Sequence, residues 1–394
     1  MTSDDPIIIA SAKRTPIGAF QGSLADASAP ELSATASRAA LDAAGVAADS
    51  IDEVVLGCVL PAGLGQAPAR QASLAAGLPQ ATGALTINKV CGSGMKAIML
   101  GHDLIRAGSA KRVLVGGMES MTNAPYLMPK ARGGYRMGHQ QVLDHMFFDG
   151  LQNPYDGNMM GIFAERTAQK FGFTREAQDA FSVASLERAL AAAANGAFDH
   201  ELAPVTIKTR KGEHVVSTDE EPTRADPARI PTLRPAFDKE GTVTAASSSS
   251  ISDGAASLVL MQAADAEASD VKPLARIVAH SGFAHEPEWF TTAPVYAIKA
   301  LHDKLGWGPD SVDCYEVNEA FACVTMAAMH ELQLDHAKVN VNGGACALGH
   351  PIGASGARIV VTLLHALLQR GGKRGIASLC LGGGEAVALA IETV

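Results

Sequence analysis

Short runs of β-branched and aliphatic residues alternate with Ala-rich stretches whose apolar positions recur every three to four residues. Residues 7–10 read as a first strand, and 31–45 as a helix closed by Gly45, since glycine accepts the left-handed C-terminal cap. Residues 54–56 form a second strand. Residues 86–91 read as a strand running into Gly92-Ser93-Gly94. After it, Met95, Ile98, Met99 and Ile105 share one face at helical spacing. Residues 113–117 form the next strand. Strands alternating with helices predict an α/β protein with a mostly parallel sheet covered on both faces.

The order then repeats. DEVVLG (52–57) resembles DCYEVN (313–318), and KRVLVGGME (111–119) resembles KRGIASLCLGGGE (373–385). A glycine-rich turn and an apolar helix lie within each pair, with Cys91 in the first half and His350 in the second. The shared order predicts two related α/β halves. Residues 119–244 break the rhythm. They contain a cationic loop (130–136), one long helix (174–195) and a polar, proline-rich stretch (208–235). The expected organisation is an N-terminal half from 1–118 and 245–270, an inserted loop domain at 119–244, and a C-terminal half at 271–394. The serine-rich run at 245–252 reads either as a flexible linker or as a tight binding loop.

Composition narrows the class. With 47% hydrophobic and 19% charged residues, the chain is not disordered. Its net charge of −9 argues against coating nucleic acid or an anionic membrane, without excluding a local basic pocket. The uncharged stretch between Arg70 and Lys89 contains Gln71, Pro79, Gln80 and Asn88, so it is no membrane span. The start, MTSDDPIIIA, lacks a basic, apolar targeting pattern. Six cysteines without a Cys-x-x-Cys pair give neither a disulfide framework nor a zinc module; a reducing cytoplasm and no metal are expected.

Four residues carry candidate chemistry. Cys91 stands at a glycine-rich helix start, where the partial positive charge favours thiolate and free backbone N–H groups can face an oxyanion; the alternative is an inert buried cysteine. His350 sits between Gly349 and Pro351 and is either structural or an acid–base group. Cys380 precedes Gly382-Gly383-Gly384 and either exchanges protons or packs. Asn318 opens a helix and either caps it or fixes a water. The duplication places all four at equivalent strand ends, where ligands of α/β sheets collect. Two thiols and an imidazole suit acyl transfer through a thioester.

Five segments carry a resemblance: NKVCGSGMKAI (88–98), LRPAFDKEGTVTA (233–245), NEAF (318–321), NVNGGACALGHPIGASGAR (340–358) and LCLGGGEAVAL (379–389). Over essentially its full length the chain resembles thiolases of the acetyl-CoA acetyltransferase type. The resemblance implies a duplicated fold, two mixed five-stranded sheets with helices in αβαβα layers, plus an inserted loop domain. It implies acyl transfer to Cys91 with His350 as base, then proton removal by Cys380 from a second acetyl-CoA and condensation to acetoacetyl-CoA. Asn318, through a water, and His350 would hold one oxyanion; the backbone N–H groups of Cys91 and Gly382 would hold the other, with the neighbouring glycines leaving room for the thioester. Ser249, Leu151, Met160, Phe237, Ala245, Ala320 and Phe321 would line the coenzyme A tunnel, and Arg224 would approach the nucleotide. No cofactor beyond coenzyme A thioesters as substrates is implied. The loop at 130–136 resembles a tetramerisation region, implying a homotetramer.

Three positions depart from the family pattern. Met159 stands where many short-chain members have histidine, Ser247–Ser250 replaces an Asn/Gly mixture, and Cys346 replaces an aliphatic residue. A broader 3-ketoacyl-CoA thiolase of fatty-acid breakdown is the alternative activity.

Overall fold

Glu31 accepts the Ser28 backbone N–H at 2.8 Å, and Pro30 lies in the first turn that this cap opens. The helix ends at Gly45, whose φ is +64°. The same local rules recur throughout a computed structural model that describes residues 5–210 and 212–394. The principal strands are β1 (Ile7–Arg14), β2 (Glu53–Gly57), β3 (Gly83–Ile87), β4 (Arg112–Ser120), β5 (Ser252–Gln262), β6 (Ala275–Ala284), β7 (Cys314–Val317), β8 (Arg374–Leu381) and β9 (Glu385–Thr393). The principal helices are α1 (Ala29–Ala44), α2 (Pro68–Ala75), α3 (Ser93–Arg106), α4 (Met160–Phe171), α5 (Arg175–Ala194), α6 (Ala293–Leu305), α7 (Ala322–Leu332) and α8 (Ile352–Arg370).

The strand order is β7-β8-β9-β6-β1-β5-β4-β2-β3, with Gly18–Ala19 pairing on β5. Only β2–β3, β2–β4 and β7–β8 pair in parallel. The mostly parallel sheet read from the alternation of elements is therefore corrected to a mixed one, as the resemblance implied. The reason lies in the connections: β8 and β9 are joined by the short Gly382-Gly383-Gly384 turn, which permits only an antiparallel return. Gly383 and Gly384 have φ of +93° and +89°, and a Cβ on Gly384 would meet the His285 carbonyl oxygen at 2.4 Å. The sheet count differs as well. Five strands (β3, β2, β4, β5, β1) and four (β6, β9, β8, β7) are linked by Ile8↔Arg276 and Ile9↔Ala275 into one hydrogen-bonded path.

Beyond that link the two sets enclose a central layer, α3 and α8. Met95, Ile98 and Ile105 of α3 pack with Val360, Leu363 and Leu364 of α8 and with Val115, Leu258, Leu379 and Val387 from both sets of strands. On one outer face Leu32 and Leu41 of α1 pack on Val54, Leu56 and Leu114; on the other lies α6, with Ile298 and Leu301. This is the αβαβα layering. The two central helices touch through glycines: a Cβ on Gly94 would meet the Ala357 nitrogen at 2.7 Å, and one on Gly356 would meet the Met95 nitrogen at 2.5 Å. Their N-terminal ends are thus brought together, which matters below. Among the described residues only α8 is long and apolar enough to cross a membrane, and it is a buried core helix.

Between β4 and β5 the chain leaves the large sheet. There, Thr174 caps α5 by accepting the Ala177 N–H at 3.2 Å, and Asn195 closes it, close to the expected bounds. This excursion is fastened to β1 by Arg14, which is fully buried. Its Nε lies 2.5 Å from Glu201, and Nη1 and Nη2 donate to both Asp219 oxygens at 2.7 and 2.9 Å. Removing the cation leaves two buried carboxylates without it. Arg14→Met is expected to cost about 3–5 kcal/mol, read as a lower urea midpoint at unchanged slope.

Candidate active site

β3 ends at Ile87, four residues before Cys91, so the strand expected at 86–91 stops early. The intervening turn is built by side chains. Asn88 Oδ1 accepts the Val90 N–H at 2.9 Å, and Ser93 Oγ accepts the Lys89 N–H at 2.8 Å while donating to the Val90 carbonyl at 2.7 Å. Val90, a β-branched residue, is held at φ +46°, a strained conformation. The turn places Cys91 immediately ahead of α3, whose N-cap is Gly92.

His350 arrives from the other central helix. It stands two residues before α8, at a helix start and not at a strand end, which corrects the expectation. Its backbone N–H donates to the Ser250 carbonyl at 3.1 Å. Gly349 has φ +102°, and a Cβ there would lie 2.2 Å from Ser252 Oγ. The crossing of α3 and α8 therefore explains why Cys91 and His350, distant along the chain, share one cavity.

That cavity has a volume of about 230 Å³. Cys91, His350 and Gly382 are on its wall, with Leu151, Met160, Phe237, Ser249, Ala320 and Phe321 from the expected set. Met159, noted above as a departure from the family pattern, also lines it, as do Met121, Phe290 and Ile352, which had no signal beyond ordinary apolar character. The serine run is a tight loop and not a linker. Ser247 and Ser248 are buried, and Ser249 donates to the Ala320 carbonyl through its N–H at 3.0 Å and its Oγ at 3.1 Å. Cys380 and Asn318 are both buried behind this wall. Cys380, near the end of β8, packs among Ala320, Phe321, Phe290 and Met160. Arg224 and Ala245 instead line a neighbouring cavity that shares Ser248 and Ser250 with the first and also contains Cys346. Arg224 is half exposed there and pairs with Glu220 at 3.4 Å.

Electrostatics correct one expectation. The thiol of Cys91 is pushed up to about 11, because burial outweighs the N–H groups of Gly382 and Cys91 itself, and Glu119 adds to the rise. Its resting form is the thiol, not the thiolate favoured by a helix start alone. The two amides that lower it are those expected to hold an oxyanion. The glycine argument also changes. A Cβ on Gly92 would strike Leu381 at 2.5 Å, so packing demands that glycine, whereas one on Gly382 makes only ordinary contacts of 3.4 Å and beyond.

His350 is held neutral, its imidazole lowered to about 3 by burial and then by the nearby Arg358 cation. Ser355, one turn into α8, fixes the tautomer. Its hydroxyl donates to the Pro351 carbonyl at 2.9 Å, so its oxygen accepts at 2.6 Å from His350 Nδ1. Nε2 is then the unprotonated nitrogen, and it is buried without a partner. A neutral thiol thus lines the same cavity as a neutral base. Alkylation of Cys91 by iodoacetamide is expected to rise about tenfold per pH unit from pH 6 to 9, following the small thiolate fraction below a raised pKa. A plateau below pH 8, followed by mass spectrometry of the Cys91 peptide, contradicts this.

With this geometry in hand, comparison with known proteins is decisive. Residues 7–264 match the thiolase N-terminal domain and residues 271–393 the thiolase C-terminal domain. The chain belongs to the thiolase family. This thiolase is 49% identical over 387 residues, 98% of both chains, to an acetyl-CoA acetyltransferase of Pseudomonas aeruginosa. Among solved structures, the acetyl-CoA acetyltransferase of Bacillus anthracis superposes with a TM-score of 0.97 at 40% identity, covering 100% of both chains. A thiolase of Ascaris suum in complex with coenzyme A superposes at 0.93 with 42% identity, covering 99% of this chain and 100% of that one.

Proposed function

We infer that the Cys91 cavity carries out ping-pong acetyl transfer between coenzyme A thioesters. The chain is an acetyl-CoA acetyltransferase, as are relatives 49% identical to it over 98% of its length. The observation that carries the site assignment is the shared wall of Cys91, His350 and Gly382. Cys91 Sγ attacks the thioester carbon while its proton passes to His350 Nε2. The oxyanion lies against the N–H groups of Cys91 and Gly382. Coenzyme A leaves as the thiolate, and the proton kept on Nε2 turns that atom from acceptor to donor.

In the second half-reaction, Cys380 takes a proton from the methyl carbon of a second acetyl-CoA. Burial, then the nearby Cys91, push the Cys380 thiol well up; passing its proton to the departing coenzyme A thiolate leaves a Cys380 thiolate that is a strong base. Asn318 Nδ2, through a water, and His350 Nε2–H hold the enolate oxygen. The carbanion attacks the acetyl carbon, Cys91 leaves as the thiolate and recovers its proton from His350 Nε2, and acetoacetyl-CoA is released; thiolysis is the reverse. Ser249, Leu151, Met160, Phe237, Ala320 and Phe321 bind the pantetheine arm, and the cavity of Ala245 and Arg224 continues toward the nucleotide. The exposed Met128, Met137 and Val142 around the cationic loop support a homotetramer, and six free cysteines support a cytoplasmic location.

A chain-length series in the thiolytic direction tests the substrate. kcat/KM is expected to be highest for the four-carbon 3-ketoacyl-CoA and to fall by about tenfold or more for longer chains, since the cavity cannot enlarge without repacking. A rise with length indicates the broader 3-ketoacyl-CoA thiolase.

A further inference from the structure

Asn318 is 1% exposed, and its two amide atoms have different fates. Oδ1 faces Arg358, whose Nη2 donates to it at 3.3 Å, whereas Nδ2 has no partner. Arg358 is itself 2% exposed, and its Nη1 lies 3.5 Å from Glu316, two residues before Asn318 on the same strand end. A guanidinium has donors and no acceptor. It can face only the oxygen of an amide, never the NH2. The buried cation thereby decides which way the Asn318 side chain is flipped.

The position of Arg358 adds a second point. Pro351, Ser355 and Arg358 follow one another at four- and three-residue steps, one face of a helix. Ser355 places the proton on His350 Nδ1, and Arg358 places the oxygen of Asn318. One helix face therefore sets the donor and acceptor directions of both groups read above as binding the enolate. Glu316 is the carboxyl buried against Arg358, pushed up to about 8 by burial against the lowering effect of the Arg358 cation.

We propose that Arg358 is a positioning residue for the carbon–carbon bond-forming step: by holding Asn318 Oδ1 it leaves Nδ2 as the donor offered to the enolate. This deepens the functional reading given above and rests on it. Arg358 bears on acetylation of Cys91 only through its positive charge near His350, which a lysine keeps, so in Arg358→Lys the two half-reactions should part company.

Rapid-quench mass spectrometry of acetyl-Cys91 formation, alongside the steady-state condensation rate, tests this in Asn318→Ala, Arg358→Lys and the double variant Glu316→Gln/Arg358→Gln. Lysine keeps the charge but cannot reach both partners, and the double variant removes the buried pair together. The expected result is condensation slowed by about tenfold or more in all three, with acetylation within about threefold of the unaltered protein in Asn318→Ala and Arg358→Lys. If Asn318→Ala loses condensation while both Arg358 variants keep it within about twofold, the positioning role is overturned and the functional reading stands. If Asn318→Ala loses nothing, the reading of Asn318 itself fails. Equal loss of both half-reactions in the Arg358 variants marks a merely structural role and overturns the proposal. Neutron diffraction from perdeuterated crystals of the unaltered protein decides the flip independently of any variant's folding. Deuterons are expected on the Asn318 atom turned away from Arg358; deuterons on the atom facing it overturn the proposal.

Discussion

Cys91→Ala is expected to abolish condensation and thiolysis together, by about 10⁴-fold or more in kcat, because both directions pass through a covalent bond to that sulfur. The fold should survive the change. Cys91 is a small, part-exposed side chain at the pocket wall, and the strained turn before it is held by Asn88 and Ser93 and not by the thiol. Circular dichroism and the urea midpoint should therefore match the unaltered protein, with the midpoint changing little. Coenzyme A release from acetyl-CoA, measured with a thiol reagent, should fall to background. Release at an undiminished rate from a folded Cys91→Ala protein contradicts the assignment of the nucleophile.

His350→Ala is expected to slow both half-reactions, by about 10²–10⁴-fold, the usual value of a positioned acid–base group. The tautomer of His350 dictates this loss. With Nδ1 bound to Ser355, only Nε2 can take the Cys91 proton, and with the thiol at about 11 the reaction needs that acceptor throughout the neutral range. The defect in acetylation should shrink as pH rises from 7 to 10, because hydroxide increasingly ionises Cys91 without help. A defect confined to condensation, with acetylation at the normal rate, contradicts a base role and leaves His350 as an enolate donor alone.

Much of the site was legible because glycine-rich motifs carry geometry. Gly349 with its positive φ, and Gly94 and Gly356 at the helix crossing, mark close backbone approach in the chain itself, whereas the position of His350 at a helix start and not at a strand end emerges only from the fold. Helix ends were legible for the same local reason at Gly45 and Thr174, which act within a few residues of themselves; the Ser28–Glu31 cap, which starts the first helix at Ala29 and not at residue 31, went unread. Strand direction was not legible. Whether β8 and β9 return antiparallel depends on a three-residue turn between two apolar runs, which look alike in either arrangement. The Cys91 proton affinity was misjudged since burial, a property of the whole fold, outweighs the local helix start. Ser355 and Arg358 fell inside a quoted motif yet went unread; their three- and four-residue spacing on α8 was the available signal. Arg224 and Ala245 line the cavity on the other side of the serine loop, a distinction only the course of residues 221–250 in space makes.

The central claim is that one sulfur carries the acetyl group and a second, buried behind the same apolar wall, does not. Intact mass spectrometry after brief exposure to acetyl-CoA tests it in the unaltered protein, Cys91→Ala and Cys380→Ala. One acetyl group is predicted on the unaltered protein and on Cys380→Ala, and none on Cys91→Ala. Acetylation that persists in Cys91→Ala and disappears in Cys380→Ala contradicts the account.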